Sequence, residues 1–406
     1  MKTGLKERAS CFIDTKGSPG IIGAGTEETQ LISSAVPRSS APPTSNLNPP
    51  AKRRHKLTPP PTRILVTGGA GYIGSHACLR LLEAGLDVVG LDDLSRGHRG
   101  AFEAISAAAA DLPGSFSPIE ASISDRSTCE AALGDHRIEL VMHFAALAYV
   151  GESVEEPLRY YDNNTGGAIS LLQAMNSTGV NRFIFSSTCA TYGEPSTDRI
   201  PIAEDCPQAP INPYGHSKHM VERVLFDHAY ARRAADPAFA FAALRYFNVA
   251  GSDPKIRIGE DHRPETHLIP ICLEVAAGRR EALVIHGDDY PTDDGTCIRD
   301  YVHVCDLIDA HIAVMNGLAP GDARALNVGL GHGWSVREVL EACRKTTGHP
   351  IPERPGPRRP GDPPRLFADS SRIKGEFGWA PHFTELEETV ATAWAWMKAR
   401  PNGYAG

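Results

Sequence analysis

A tyrosine and a lysine placed four residues apart are the side chains best suited to chemistry in this sequence of 406 residues. Tyr214 and Lys218 lie near the start of a predicted helix, where residues four apart share one face. Because an ammonium group beside a phenol favours the phenolate, we expect Lys218 to lower the pKa of Tyr214 toward that of a general base. Thr188 closes a predicted strand, at the edge where open parallel sheets bind ligands. A Tyr–Lys pair also occurs by chance on helices, so this prediction depends on its surroundings.

Glycines follow the first predicted strand at a spacing that suits a dinucleotide. Gly68, Gly71 and Gly74 come directly after the apolar run RILVT. Glycine at these positions allows a tight turn, a close approach of backbone to a pyrophosphate, and close packing of helix on strand. A second strand ends at Asp92 and Asp93 about 20 residues later, where an acid binds ribose hydroxyls and repels a 2′-phosphate. The sequence therefore predicts NAD rather than NADP, with a glycine turn that binds nothing as the alternative.

These candidate residues lie in a chain whose predicted strands and helices alternate. The alternation predicts an α/β fold, a Rossmann-like doubly wound parallel sheet with helices on both faces. We expect a disordered extension over residues 1–61, an NAD-binding domain over 62–250 and a smaller mixed α/β substrate domain over 251–400. The first region is rich in Ser, Thr, Pro and Gly and cannot bury enough apolar surface to fold. The predicted strands are 63–67, 87–91, 139–144, 182–186 and 239–246.

The composition excludes several classes of protein. The net charge of -8 argues against a nucleic-acid binder, and no apolar run approaches the roughly 18 residues of a membrane span. Nine scattered cysteines without C-x-x-C spacing predict free thiols in a reducing cytoplasm. None of the 16 histidines has an H-E-x-x-H or similar spacing, so we expect no bound metal.

Longer phrases around these residues resemble the extended short-chain dehydrogenase/reductase family, and within it the UDP-glucose 4-epimerases. The phrases extend from about residue 62 to residue 400 and include VTGGAGYIGSH, FSSTCATYGEP, PYGHSKHMVE, LRYFNVAGS and PRRPGD. The resemblance implies a tightly bound NAD and the interconversion of UDP-galactose and UDP-glucose through a 4-keto sugar. Such an activity serves galactose metabolism or the supply of nucleotide sugars. The resemblance also implies a homodimer.

The resemblance gives each catalytic residue a role. Tyr214 would remove the proton from the sugar 4-hydroxyl, Thr188 would bind the same oxygen, and Lys218 would hold the nicotinamide ribose. Because the sugar must turn over between two hydride transfers, the binding contacts would lie on the UDP group. The implied cofactor contacts are Gly68, Gly71, Tyr72, Ile73, Gly74, Asp92, Asp93, Phe144, Ala145, Asn163, Thr188, Tyr214, Lys218 and Phe247. The implied substrate contacts are Thr188, Tyr214, Asn248, His267, Leu268, Arg299, Arg359 and Asp362.

Four positions depart from the pattern of the relatives. Ser122 stands where some have an aspartate that reaches the adenine, and Ala148 stands where some have a lysine. His267 stands at a substrate contact that is asparagine in other epimerases. Leu366 falls where some epimerases have a bulky aromatic that restricts N-acetyl sugars, so we expect this chain to tolerate UDP-N-acetylglucosamine.

Other functions stay open on the same set of residues. A UDP-pentose 4-epimerase or a UDP-N-acetylglucosamine 4-epimerase would use the same chemistry. A nucleotide-sugar 4,6-dehydratase would carry acidic residues after the strand-end threonine, whereas Cys189 and Ala190 follow Thr188 here. A catalytically dead NAD-binding scaffold would tend to lose the base and its partner, yet Tyr214 and Lys218 are both present.

Overall fold

A large parallel sheet dominates the described residues, 60–235, 237–359 and 362–405 of a computed structural model. The extension predicted over residues 1–61 lies outside the described residues, apart from Pro60 and Pro61. The strands are β1 (Arg63–Thr67), β2 (Asp87–Asp92), β3 (Phe116–Glu120), β4 (Leu140–His143), β5 (Arg182–Thr188), β6 (Ala240–Tyr246), β7 (Asn248–Ala250), β8 (Leu283–His286), β9 (Ile298–Arg299), β10 (Tyr301–His303), β11 (Ala323–Val328), β12 (Trp334–Ser335), β13 (Glu353–Gly356) and β14 (Arg365–Leu366).

The large sheet has seven strands in the spatial order β11-β6-β5-β4-β1-β2-β3, all parallel. From β1 the chain adds β2 and β3 on one side, then crosses over to add β4, β5 and β6 on the other. In open α/β sheets, ligands bind in the crevice at such a reversal, outside the carboxyl ends of the strands. The predicted Rossmann-like, doubly wound fold is therefore confirmed, and it places the crevice beside β1 and β4.

Successive residues of each strand point to opposite faces of the sheet. Both faces are apolar, and helices cover both of them. Ile64 of β1 packs in a core with Leu79 and Leu307, whereas Leu65 packs in a second core with Leu171 and Val221. A π-helical turn, Tyr161–Gly166, leads into one of the helices. The α-helices are α1 (Tyr72–Glu83), α2 (Arg99–Ala109), α3 (Arg126–Asp135), α4 (Val150–Glu155), α5 (Pro157–Tyr160), α6 (Gly167–Thr178), α7 (Pro213–Arg232), α8 (Leu268–Ala276), α9 (Val304–Gly317), α10 (Val336–Thr347), α11 (Ser371–Phe377) and α12 (Leu386–Ala399).

The later part of the chain builds three small sheets and a third core. β7 pairs with β10, β8 pairs with β13, and β9 lies between β12 and β14. Cys272 of α8, Leu340 of α10 and Val390 of α12 are buried together in this core. The predicted smaller C-terminal region with its own sheets is thus present, while β11 returns to the large sheet. The division at residue 250 stays a prediction.

None of the helices in the described ranges has both the length and the apolar character needed to cross a membrane.

Candidate active site

The glycine turn between β1 and α1 leaves no room for side chains. Gly68 has a φ of +71°, and a Cβ there would lie 2.6 Å from the backbone nitrogen of Ala145. A Cβ on Gly74 would lie 2.0 Å from the carbonyl oxygen of Gly68. α1 begins directly after Gly71, and the first N–H groups of a helix have no partner within it. The turn therefore presents backbone donors at close range, as the binding of a pyrophosphate requires.

The two acids at the end of β2 have different surroundings. Asp92 is buried, and its carboxylate accepts hydrogen bonds from the N–H groups of Ala70 at 3.0 Å and Leu94 at 2.8 Å. Burial raises the pKa of Asp92. Asp93 is exposed and accepts from the N–H of Ser95 at 2.9 Å. Asp92 thus ties the glycine turn to the loop after β2, and both acids line the same cleft as the glycines.

Thr188, Tyr214 and Lys218 meet at the carboxyl end of β5. Thr188 is the last residue of that strand, and its hydroxyl is close enough to the Tyr214 phenol to lower the pKa of that phenol. Asn212 caps α7 by accepting the N–H of Gly215 at 2.9 Å, which fixes where the helix begins. Tyr214 and Lys218 therefore stand on the first turns of a capped helix, and all three side chains line the cleft that contains the glycine turn.

The pKa of Tyr214 corrects one expectation. Burial raises it to about 12, and the nearby Thr188 hydroxyl opposes that rise only in part. Lys218 is also buried, so its pKa falls to about 7, and its Nζ donates to the carbonyl oxygen of Ser186 at 2.8 Å. The expected lowering of the Tyr214 pKa by Lys218 is therefore wrong for the side chains of this chain by themselves. Burial dominates the pKa of each group, and neither group shifts the pKa of the other.

Buried polar contacts hold these elements in place behind the cleft. Glu222 of α7 pairs with Arg245 of β6, with 2.6 Å between Oε2 and Nη2, and it also accepts the hydroxyl of Ser187. Asn164 of the π-helical turn donates to the hydroxyl of Ser217 at 3.0 Å. Such contacts fix α7 relative to β5, β6 and the π-helical turn, and so fix the positions of the reactive side chains.

The cleft brings together every predicted cofactor contact and part of the predicted substrate set. Of the substrate contacts, Thr188, Tyr214, Asn248 and His267 line it. Asn248 opens β7, and His267 directly precedes α8. Leu268, the first residue of α8, is outside the cleft lining. The structure therefore gathers residues that are almost 200 positions apart in sequence into one site.

The charged residues predicted to hold UDP lie outside the lining of this cleft. Arg299 on β9 is ion-paired with Asp362, and its side chain is only 11% exposed. β14 pairs with β9 so that Leu366 lies opposite Arg299, and Leu366 packs in one cluster with Phe247, which lines the cleft. Arg359 and Asp362 line a separate hollow. This charged group is therefore a neighbour of the cleft, connected to it through Leu366.

Several polar residues of the cleft were missed by the sequence analysis. Ser186 and Tyr246 lie on paired strands and their hydroxyls hydrogen-bond each other, a relation that only strand pairing reveals. Glu260 and His262 lie in the run EDHRPETH, whose density of acids and histidines was a signal of a site. The missed polar residues of the lining are Ser95, Arg96, Tyr149, Ser186, Tyr246, Glu260, Asp261 and His262.

An extended dinucleotide fits this cleft on chemical grounds. The glycine turn supplies backbone donors for phosphate oxygens, and the acids at the end of β2 supply acceptors for ribose hydroxyls. β5 ends at Thr188, beside Tyr214 and Lys218 of α7, and lies two strands from β1, a separation of about 10 Å. The glycine turn and Tyr214 are therefore placed to hold different parts of one ligand.

Comparison with known proteins agrees with this geometry. A model of the NAD dependent epimerase/dehydratase family matches residues 64–329. The UDP-glucose 4-epimerase of Lacticaseibacillus casei is 48% identical over 344 residues, which cover 84% of this chain and 98% of that protein. Probable UDP-arabinose 4-epimerase 3 of Oryza sativa subsp. japonica is 46% identical over 355 residues, 86% of this chain and 85% of that protein. The crystal structure of UDP-glucose 4-epimerase from Bifidobacterium longum, in complex with NAD+ and UDP, is 38% identical with a TM-score of 0.79 and covers 84% of this chain and 100% of that one.

Fold and cleft together define an enzyme of the Rossmann-like class that works with a nicotinamide dinucleotide. The chain belongs to the NAD dependent epimerase/dehydratase family, whose model covers well over half of it. The predicted resemblance and the predicted NAD cofactor are therefore confirmed.

Proposed function

We propose that this chain is an isomerase that interconverts UDP-galactose and UDP-glucose by inverting the sugar at C4. One observation carries the proposal: Thr188, Tyr214 and Lys218 lie in the same cleft as the glycine turn that suits NAD. A general base therefore stands within the site of the hydride acceptor. The names of the relatives from L. casei and B. longum support the same activity.

In this proposal the side chains of the chain move and hold the proton. Tyr214, as the phenolate, accepts the proton of the sugar 4-hydroxyl, and the Thr188 hydroxyl binds the same oxygen. Lys218 holds the nicotinamide ribose, and its charge favours the phenolate. The bound NAD supplies the chemistry of hydride acceptance from C4 and hydride return. Burial is the largest cause that raises the pKa of Tyr214 to about 12 in the chain by itself, so in this proposal the positive charges of the oxidised cofactor and of Lys218 would favour the ionised form during turnover.

The UDP group is the part of the substrate that we propose is held firmly. Arg299 offers a nearly buried guanidinium for the diphosphate, oriented by Asp362, and Arg359 adds a second positive charge. Asn248 and His267 face the cleft itself. Leu268, directly after His267, completes the proposed substrate set. Contacts placed on UDP leave the 4-keto sugar free to turn over before hydride returns to its other face.

The range of sugars is a second proposal, which rests on Leu366. Leu366 is buried next to Phe247, which lines the cleft, and opposite Arg299, so we propose that its size limits the space beside the sugar. A leucine leaves more room than an aromatic ring, and we propose that the site also accepts UDP-N-acetylglucosamine. UDP-arabinose is a further candidate because the relative from O. sativa is named as a probable UDP-arabinose 4-epimerase.

An exposed apolar face supports the proposed homodimer. α4 and α5 pack against α7, and each carries large apolar side chains on the outside. Leu158 is 81% exposed, Tyr230 69% and Val154 63%. Apolar patches of this kind on a protein surface mark sites of association. A second copy that presents the same helices would bury this face against itself in a symmetric contact.

We also propose that the NAD-binding domain spans 62–250 and the substrate domain 251–400, and that the protein acts in the cytoplasm. The cysteines of the described residues form no disulfide, in keeping with a reducing compartment.

The activity is tested with purified protein that receives UDP-galactose and no added cofactor. Appearance of UDP-glucose without net NADH, together with NAD released on denaturation, is the expected result. Bound NAD without conversion of UDP-galactose, but with conversion of UDP-arabinose or UDP-N-acetylgalactosamine, would reassign the sugar. Absence of both NAD and conversion would refute the proposal.

A further inference from the structure

Two histidines and two glutamates converge at one side of the cleft. Glu260, His262, Glu265 and His267 come from a single run of eight residues that leads into α8. One ligand-capable atom from each, an imidazole Nδ1 or a carboxylate oxygen, lies within 4.8 Å of all the others. Glu260, His262 and His267 also line the cleft, so a small ion could reach the cluster from it. The mechanism proposed above uses neither glutamate and does not use His262.

The separations within this Glu–His cluster are close to those of a tetrahedral metal site. Zn²⁺ bonds to nitrogen and oxygen at about 2.0–2.2 Å, which places neighbouring ligand atoms about 3.3–3.6 Å apart. His262 Nδ1 lies 2.9 Å from Glu260 Oε1 and 3.7 Å from Glu265 Oε2. His267 Nδ1 lies 3.2 Å from Glu260 Oε1 and 2.8 Å from Glu265 Oε1. The two shortest of these contacts are hydrogen bonds, so an ion would have to separate those pairs by about 0.5 Å to reach the tetrahedral spacing.

The charge balance of the cluster also suits a divalent cation. Each Nδ1 lies close to both carboxylates, which are almost fully buried. Although burial opposes the change, hydrogen bonds with Glu260 and Glu265 raise the pKa of His262 to about 9 and that of His267 to about 10, so in the chain by itself the two imidazoles balance the two carboxylates. One divalent cation carries the same two charges and would replace those protons, which leaves both imidazoles neutral, the form in which they bind metals.

The surrounding contacts hold the cluster in shape before any ion binds. Glu265 Oε1 accepts the N–H groups of Thr266 and His267, each at 2.7 Å, which fixes the carboxylate. Asp261 lies between Glu260 and His262 in the chain, so its contacts fix the backbone of the loop. Its carboxylate accepts the N–H of Tyr404 at 2.9 Å, and its backbone oxygen hydrogen-bonds His98 at 2.7 Å. Secondary contacts that orient ligands in this way are what a metal site requires.

We propose that Glu260, His262, Glu265 and His267 bind one divalent cation of the Zn²⁺ type at the edge of the cleft. Mixed imidazole and carboxylate ligands suit Zn²⁺, whereas Mg²⁺ and Ca²⁺ prefer oxygen ligands alone. The proposal departs from the expectation of no bound metal, because the four residues are not spaced as H-E-x-x-H and converge only through the fold of their loop. Binding itself is independent of the proposed epimerase activity. An effect on turnover through His267 would rest on that activity.

The test is a titration of the NAD-loaded wild-type protein with Zn²⁺ by calorimetry, with Mg²⁺ in parallel. We expect one tight Zn²⁺ site per chain and no comparable Mg²⁺ site. His262→Gln and Glu265→Gln should each weaken Zn²⁺ binding by at least about tenfold, since each removes one ligand. His349→Gln, an exposed histidine outside the cluster, is the matched control and should leave the affinity unchanged.

Absence of a tight Zn²⁺ site in the wild type, or equal affinity in the ligand variants and the control, would overturn the proposal. NAD content and the thermal midpoint of each variant show whether it is folded. If the variants do not fold, anomalous diffraction at the zinc edge from wild-type crystals decides the question. A peak enclosed by the four side chains supports the site, and a peak only at other residues refutes it. Because no step of this test uses a sugar nucleotide, its failure would leave the epimerase proposal intact.

Discussion

The cofactor half and the substrate half of the site are built in different ways. The glycine turn lies within seven residues of one strand–helix junction, and Tyr214 and Lys218 lie on adjacent turns of one helix. By contrast, Arg299 and Asp362 are 63 residues apart and meet only because β14 pairs with β9. The first half depends on local geometry, and the second depends on long-range pairing.

This difference also appears in how the side chains are held. Lys218 is buried and bonded to a backbone oxygen of the neighbouring strand, so it has one position. Arg299 is held by another side chain, Asp362, and Arg359 lies in an open hollow. Rigid placement suits a lysine that is proposed to hold the cofactor beside the base, Tyr214. A looser grip suits a substrate that must enter, let its sugar turn over and leave.

The sharpest test of the cofactor half is Tyr214→Phe. It deletes the proton acceptor and little volume, so we expect kcat to fall by about 10²- to 10⁴-fold while the NAD content stays that of the wild type. Tyr230→Phe on the same helix removes an exposed hydroxyl and should have normal kcat. Near-normal turnover of Tyr214→Phe would remove this residue from the role of base.

Gly74→Ala tests whether local backbone geometry limits cofactor binding. The new Cβ would lie 2.0 Å from the Gly68 carbonyl oxygen, so the turn must shift. We expect the free energy of unfolding to fall by about 1–3 kcal/mol and bound NAD to be lost on purification. Gly134→Ala in α3 meets no atom within 4 Å, so it should retain NAD and slightly raise stability. Full NAD content in Gly74→Ala would contradict the assignment of the glycine turn as the site that binds the pyrophosphate.

Sequence analysis was strongest for features that depend on neighbours in the chain. The parallel fold, the glycine turn at Gly68–Gly74 and the strand-end position of Thr188 all follow from short-range patterns and were predicted. The pKa of Tyr214 was not, because burial depends on residues distant in sequence. The Arg299–Asp362 pair and the convergence of Glu260 with His267 were also missed, since strand pairing and loop shape decide them. Neither the pair nor the cluster has a recognised spacing motif, although the density of acids and histidines in EDHRPETH was a signal of a site.

Arg299→Ala tests the substrate half. Loss of a charge-assisted contact to the diphosphate should raise KM for UDP-galactose by about 10- to 100-fold and leave NAD content unchanged. Arg337→Ala is the control, because Arg337 forms a comparable but more exposed ion pair with Glu353 away from the cleft. An unchanged affinity for UDP in Arg299→Ala, measured by calorimetry, would exclude this arginine from the site.

Leu366→Tyr should have the smallest effect and refine the sugar range. A larger ring next to Phe247 narrows the space beside the sugar, so we expect a few-fold lower kcat/KM for UDP-N-acetylglucosamine at similar kcat/KM for UDP-galactose. Leu366→Ile keeps the volume and serves as the control. An equal loss of kcat/KM for both substrates would mean that Leu366 supports the packing around Phe247 and does not select the sugar.

The central claim is that one resident cofactor both takes and returns hydride at the same sugar carbon. It is tested most directly by converting UDP-galactose that carries deuterium at C4, with no cofactor added. We predict UDP-glucose that retains the deuterium at C4, because hydride never leaves the site. UDP-glucose with solvent hydrogen at C4 would contradict the account, since inversion would then have occurred by proton exchange and not by hydride transfer.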